Sequence, residues 1–393
     1  MNNYFVDLHI HIGRTKTGKP VKITASKSLT LTNILNTAKS PKGLDMVGII
    51  DCHSPEVIAE IEDLIYRGDL RGMAEGGFRF QETVTLIPGV EIEVNDENCK
   101  GPIHVLGYFP TLEALKNFSM WYQTKVKNVQ LSTQRIHESA VPLQKKIKSL
   151  GGIFIPAHVF TPFKSLYGKG VEKSISEILD PDLIDGIELG LSSNTEMADR
   201  IKELHHFTFV SDSDAHSLGK IAREYQIMKL ESPTFAALEK ALHGKDGNGI
   251  VANYGLNPYL GKYYRTTCSK CFEPKVADIC PHCGSTHFTK GVSERIKELA
   301  TDQVSPKRPP YVHQVPLDFL PGLGPKTLHK LLDYFDTEMN ILHNVPIEEL
   351  KKVVKADLAD MIMQARQGTL QLMAGGGGQY GKVDNTKYYG GEK

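Results

Sequence analysis

The chain has 393 residues, 46 Lys and Arg against 46 Asp and Glu, and 40% hydrophobic content. That length can bury a substantial core in two or three domains, and a net charge of zero excludes a purely electrostatic nucleic-acid coat while permitting a local basic cleft. No apolar run is long enough to cross a bilayer. Asp7, His9 and His11 interrupt the short N-terminal apolar stretch, so no signal peptide is read there, and a cytoplasmic monomer is expected.

In chain order, short β-branched runs at 4–10, 46–51, 84–94, 102–109, 151–158, 186–190 and 206–214 alternate with helical patterns at 54–66, 112–127, 143–150 and 175–179. This repetition predicts an α/β domain over 1–250 with largely parallel strands, closed or nearly closed into a barrel to protect its edges. Composition changes at the KDGNG turn near 245. The next segment, 251–310, carries a cysteine module at about 262–290 and the proline-rich spacer SPKRPPY. The last segment, 311–393, has two or three short helices over 316–367 and a glycine-rich end from Gly375, which is read as disordered or as a loop ordered by a ligand.

Polar, metal-ligating residue types recur at the strand positions. His9 and His11 alternate at period two on the first strand, Asp51 and His53 repeat that spacing at the end of the second, and Glu91 ends or lines the third. His104 stands at the head of VLGYF, His158 closes GGIFIPAH, Glu188 sits in GIEL, and Asp214 and His216 repeat the period-two spacing. Any one of these is commonly a core or capping group. Their recurrence at successive strand ends, where parallel α/β folds place active sites, predicts a metal centre. Mixed imidazoles and carboxylates suit zinc, manganese, iron or magnesium, and the set exceeds what one ion needs, so two or three divalent ions are expected. Asp7, Asp51 and Glu188 are candidates for orienting the ligands. His137, His205, His206 and His243 lie in helical or turn stretches and carry no functional signal.

Four of the six cysteines form two close pairs, Cys268 with Cys271 and Cys280 with Cys283. Such clustering predicts one structural zinc. Further on, the turn LPGLGP (320–325), with Gly322, Gly324 and Lys326, precedes a helical pattern and resembles a helix-hairpin-helix turn whose backbone N–H groups face a DNA phosphate. Residues 12–44 contain Arg14, Lys16, Lys19, Lys22, Lys27, Lys39 and Lys42 and no acid. A basic run directly after the His9–His11 strand suits a polyanionic substrate, and Arg14, Lys16, Lys27 and Lys164 are taken as DNA-contacting candidates.

The motifs VDLHIH (6–11), IIDCH (49–53), PGVEI (88–92), IHVLGY (103–108), PAH (156–158) and SDAH (213–216) resemble, in order, those of the PHP (polymerase and histidinol phosphatase) superfamily. The resemblance implies a distorted seven-stranded β/α barrel with a trinuclear centre. One ion would be held by His9, His11, Glu91 and Asp214. A second would share Glu91 and use His104 and His158, and a third would use His53 and His216. His9, Glu91 and Asp214 would be catalytic. The sequence departs from the family pattern where Cys52 separates Asp51 from His53, and where Arg14 and Thr15 offer no further ligand. With its cysteine module and helical tail, the whole chain resembles the endonuclease Q family. That likeness implies hydrolysis of the phosphodiester on the 5′ side of deaminated bases (uracil, hypoxanthine, xanthine) and abasic sites in DNA, leaving a 3′-hydroxyl and a 5′-phosphate. Recognition would require the lesion nucleotide to leave the stack. Loops 68–80 and 160–168 are candidates for the base pocket, with Phe78, Phe80, Phe163 or Tyr167 stacking. A small-molecule phosphoesterase or a metal-dependent exonuclease explains the metal ligands equally well but leaves the cysteine module and hairpin-like turn without a use. A non-catalytic DNA-binding protein fits the near-complete ligand set poorly.

Overall fold

The computed structural model describes residues 1–261, 263–301 and 304–370, with two short strands at Leu372–Met373 and Lys382–Val383. The glycine-rich stretch from Gly375 lies outside the described residues apart from the second of these strands. The strands are β1 (Asn2–Ile10), β2 (Met46–Ile49), β3 (Leu70–Gly72), β4 (Phe78–Phe80), β5 (Val84–Val94), β6 (Ile103–Tyr108), β7 (Ile153–Pro156), β8 (Ile187–Glu188), β9 (Phe209–Val210), β10 (Tyr225–Leu230), β11 (Gly249–Gly255), β12 (Thr267–Cys268), β13 (Phe288–Thr289) and β14 (Tyr311–His313). The α-helices are α1 (Leu31–Thr37), α2 (Pro55–Tyr66), α3 (Leu112–Tyr122), α4 (Ala140–Ser149), α5 (Thr195–Ala198), α6 (Phe235–Leu242), α7 (Val292–Leu299), α8 (Pro325–Phe335), α9 (Glu338–His343), α10 (Ile347–Val353) and α11 (Ala356–Gln367). No helix among the described residues is long and apolar enough to cross a membrane.

The seven expected strands are β1, β2, β5, β6, β7, β8 and β9, and they close on themselves. β1–β2, β2–β5 and β8–β9 pair parallel. Backbone bonds from Asp185 N to Phe154 O and from Val159 N to Glu188 O join β7 to β8. The parallel bridge of Ile10 with Ala215 closes the ring. The expectation of parallel strands fails at β6, which runs antiparallel to both β5 and β7. A short connection from β5 returns the chain directly alongside it, where a parallel neighbour would need a long crossover. The reversal puts the head of β6, with His104, at the same barrel end as the tails of the other strands.

The barrel interior is filled by Val6 and Leu8, Met46, Ile87, Leu106 and Tyr108, Ile155 and Val210, contributed by six of its strands and continued by Phe235 and Leu238 of α6. Pairing of β1 with β2 slips by one residue between Asp7 and Ile10. This bulge explains how Val6 and Leu8, then His9 and His11, all face inward: one extra residue exchanges the faces of a strand.

Outside the ring, β10 and β11 extend the sheet from β1, and β14 pairs parallel with β11. The sheet therefore runs through residues 250 and 311, where the sequence suggested divisions. Residues 256–310, with the cysteine module, leave and rejoin that sheet edge. Arg295 of α7 anchors the excursion by donating to the carbonyls of Tyr167, Val171 and Glu172 at 2.7–3.1 Å. Helices α8 to α11 pack against one another in the C-terminal region.

Candidate metal centre

His9, His11 and Asp214 form one group of converging ligand atoms, and Glu91, His104 and His158 form another; within each group the atoms lie within 4.8 Å of one another. Glu91 stands between the groups. Its Oε1 lies 2.8 Å from His104 Nδ1, 3.4 Å from His158 Nε2 and 3.7 Å from His9 Nε2, while Oε2 lies 3.6 Å from His11 Nε2. Asp214 Oδ1 is 3.5 Å from the Nε2 atoms of both His9 and His11.

The rings are aimed from behind. His9 Nδ1 donates to Glu188 Oε1 at 2.9 Å, and the same carboxylate accepts from the His158 backbone N–H. His11 Nδ1 donates to Asp51 Oδ2 at 3.0 Å. With Nδ1 engaged in each ring, Nε2 is left as the ligand atom. Asp7 ties the loop that carries Asp214 to β1 by accepting from the backbone N–H groups on either side of it, Ser213 and Ala222. His158 and Asp214 have φ of +31° and +45°, conformations that cost a non-glycine residue about 1–3 kcal/mol each and concentrate at functional sites. Gly190 leaves room for His158, since a Cβ there would meet the His158 Cβ at 2.8 Å.

These residues fit divalent cations. The Nε2 atoms of His9 and His11 are buried with no hydrogen-bond partner, an expensive arrangement for a protein without a ligand there. Burial opposes charge on His9, yet Glu188, Asp214 and Glu91 push its imidazole up to about 10. Burial would raise Asp214, but His9 and His11 hold its carboxyl well below the usual range. Glu91 is likewise driven down against its burial by His104 and Lys22. The centre is a set of carboxylates seeking positive charge. It opens to solvent at Asp214 and His216, whose side chains are 29% and 36% exposed.

His216 packs its ring 4.5 Å from that of His11. His53 stands apart from both groups: its Nε2 faces the Leu131 carbonyl at 3.4 Å and its ring lies against Tyr122. Sequence reasoning passed over Lys22, whose Nζ reaches Glu91 Oε2 at 3.0 Å, and Thr133, which donates to the same oxygen at 2.5 Å. Lys22 had a signal, the acid-free basic run, whereas Thr133 had none.

The four cysteine sulfurs also converge within 4.8 Å, with Cys268 to Cys283 at 3.5 Å and Cys271 to Cys280 at 3.4 Å. Tetrahedral zinc with bonds of about 2.3 Å sets its sulfurs about 3.8 Å apart, close to these separations.

The DNA-contacting candidates are dispersed. Arg14 donates to the Gly18 carbonyl, Lys16 pairs with Asp63, and Lys164 pairs with Glu93 at 2.9 Å. The basic run is thus partly neutralised by acids from distant segments, while exposed Lys27 has no ion pair among the described residues. Gly322 turns at φ +80°, and Gly324, at the start of α8, has nothing within 4 Å of where a Cβ would stand, so that backbone is open beside exposed Lys326.

Three of the proposed stacking residues are unavailable. Phe78 and Phe80 are core residues of β4, which pairs with the first half of β5, away from Glu91. Tyr167 is fully buried, stacked on Phe160 and donating to Glu203. Phe163 is 49% exposed, edge-on to Tyr263.

No protein-family model matches the chain. The uncharacterized protein YqxK of Bacillus subtilis (strain 168) is 53% identical over 386 residues, covering 98% of this chain and all of YqxK. The crystal structure of the lesion-specific endonuclease PfuEndoQ from Pyrococcus furiosus superposes with a TM-score of 0.84 at 32% identity, covering 97% of this chain and 95% of that one. The chain belongs to the endonuclease Q family. A crystal structure of endonuclease Q with a 27-mer duplex carrying an abasic lesion at the active site matches with a TM-score of 0.83 at 31% identity, over 97% of this chain and 96% of that one. The likeness to endonuclease Q therefore spans both the metal-centre barrel and the cysteine module.

Proposed function

We propose that this chain is a metal-dependent DNA-repair endonuclease that hydrolyses the phosphodiester 5′ to deaminated bases (uracil, hypoxanthine, xanthine) and abasic sites, leaving a 3′-hydroxyl and a 5′-phosphate. The observation that carries the reading is the pair of ligand groups meeting at Glu91 in a chain that matches endonuclease Q nearly end to end. His9, His11 and Asp214 would hold one ion, and His104 and His158 a second, with Glu91 between them. Manganese, magnesium, zinc and iron all suit these donors. Divalent ions bound here would activate water and screen charge growing on the phosphate.

The protein's own groups do the rest. Glu188 and Asp51 fix which nitrogen of His9 and His11 faces the centre. Asp214, the more exposed of the two central carboxylates, would orient an attacking water by accepting a hydrogen bond from it. The cysteine module, expected to hold zinc, and the open Gly322–Gly324 backbone lie outside the centre and serve to place the duplex.

One gel tests the reading. An end-labelled duplex carries internal uracil, hypoxanthine, abasic and undamaged sites, incubated with manganese or magnesium and with chelator. Nicks 5′ to the lesions that disappear with chelator are expected. Equal rates at undamaged positions, cleavage 3′ to the lesion, or release of free base would each refute it.

A further inference from the structure

Beside the metal centre one buried carboxylate holds two cations. Glu93 lies two residues beyond Glu91 on β5, directly across from His104 on β6. Its side chain is only 9% exposed, and it meets Arg135 Nε at 2.7 Å through Oε1 and Lys164 Nζ at 2.9 Å through Oε2. Both cations are 50% exposed. Glu93 Oε2 also lies 3.8 Å from His104 Nε2, so the trio adjoins the ligand group of Glu91, His104 and His158 without being part of it. Both cations ride on backbone bonded to the ligand-bearing strands. Arg135 is bridged to Glu93, with Glu93 N donating to Gln134 O at 3.2 Å and Ile136 N to Glu93 O at 2.9 Å. His104 N donates to Lys164 O at 2.9 Å, and Lys164 itself is held at φ +53°, a strained conformation of the kind that clusters at functional sites.

We infer that Arg135 and Lys164 form a phosphate clamp at the rim of the centre, which takes a phosphodiester of the damaged strand next to the one that is cut, and that Glu93 is the positioning residue that sets both cations. Charge counting favours this over an incidental surface pair. One carboxylate neutralises one cation, so the trio keeps one positive charge on its exposed side. A lone exposed ion pair adds little stability, and ordering a second long side chain on the same carboxylate costs conformational entropy. That arrangement gains a purpose when an anion completes it. Arg135 bonds Glu93 through Nε and makes no other side-chain hydrogen bond among the described residues, which leaves its terminal nitrogens for phosphate oxygens. Because the trio stands outside the metal groups, the phosphate it takes is a neighbour of the scissile one.

The inference rests on the endonuclease reading, and the experiment separates the two. Uracil duplexes carry a neutral methylphosphonate in place of the phosphate one step 5′ or one step 3′ of the scissile bond, and kcat/KM for nicking is measured with Mn2+. With the unaltered chain, one of the two positions should cost at least tenfold. Arg135→Ala and Lys164→Ala should each cost about tenfold on the ordinary duplex, and the sensitive methylphosphonate should then cost no more than about twofold further, because the contact it removes is already gone. Fully additive losses, or no loss at either position, would overturn the clamp while the nicking itself upholds the endonuclease reading. Absence of metal-dependent nicking of the uracil duplex would overturn both. Arg135→Lys keeps the charge and removes the fork, so the same coupling can be measured if the alanine variant fails to fold. Glu93→Gln should shrink the methylphosphonate penalty and leave Mn2+ affinity within about threefold. An undiminished penalty, or a loss carried by Mn2+ affinity, would overturn its positioning role.

Discussion

The barrel mouth and the cysteine module are both built to hold metal, and they differ in what holds their ligands in place. At the mouth the ligands come from positions as far apart as His9 and Asp214, delivered by strands whose apolar residues fill a common interior. The geometry therefore exists before any ion binds, and Glu188 and Asp51 refine it. In the module all four ligands fall within Cys268–Cys283 on two turns, steadied by the two-residue pairing of β12 with β13. Little apolar surface is buried there, so the ligand must supply the order. A preformed site can spend its metal on chemistry, whereas a site formed by its metal spends it on folding.

The largest expected effect is at the mouth. Asp214→Asn should lower nicking at least a thousandfold, with thermal unfolding and duplex affinity nearly unchanged. A fully active variant, or one that unfolds, would break the distinction. Glu188→Gln keeps the shape but weakens the hold on His9, and a loss of about 10–100-fold in activity or metal affinity is expected, measured by metal titration beside nicking rates. In the module, Cys280→Ser or removal of its metal should cut duplex affinity about tenfold while the mouth keeps its Mn2+ affinity. A change in Mn2+ affinity without any change in duplex binding would invert the comparison. Lys27→Ala touches neither metal. It should weaken binding several-fold and reduce the slope of log K against log salt by about 0.9.

The smallest effect lies outside the ring, where the sheet is extended from β1. Glu224 is buried just before β10, accepting from the Leu256 N–H, with Oε2 unpartnered. Burial pushes its carboxyl up to about 8, against an ordinary value of 4.5. Between those values the folded chain keeps a proton that the unfolded chain has released. The stability tied to neutral Glu224 is thus complete below about 4.5 and lost as pH rises towards 8. Glu224→Gln, which mimics the neutral form, should raise the unfolding temperature by a few degrees at pH 8 and hardly at all at pH 4.5. An equal shift at both would show that Glu224 is not the titrating group.

Most of this arrangement was legible before the fold was known. The seven barrel strands announce themselves as apolar, β-branched runs, and the ligand types recur upon them. What stayed hidden was direction and register. Ile103–Tyr108 is buried throughout, so its pattern is the same read forwards or backwards, and the reversal of β6 left no trace. The bulge in β1 lies between residues that are all buried, and periodicity alone assigns Leu8 and His9 to opposite faces. Tyr225–Leu230 and Gly249–Gly255 mix polar with apolar residues and were not expected as strands, which is why the sheet's continuation past 250 came only from pairing. Phe78 and Phe80 looked like loop aromatics because β3 and β4 are only three residues long each.

The return of the chain to the sheet at β14 has a consequence for duplex handling. Because β11 and β14 are adjacent parallel strands, the excursion at 256–310 is tethered at both ends to one edge. Its turns cannot drift away even when their own order is lost, and their local concentration over the barrel is set by the tether as well as by the Arg295 contacts. A partner held by the module is therefore presented to the mouth within a single molecule, so engaging one makes capture by the other an intramolecular event.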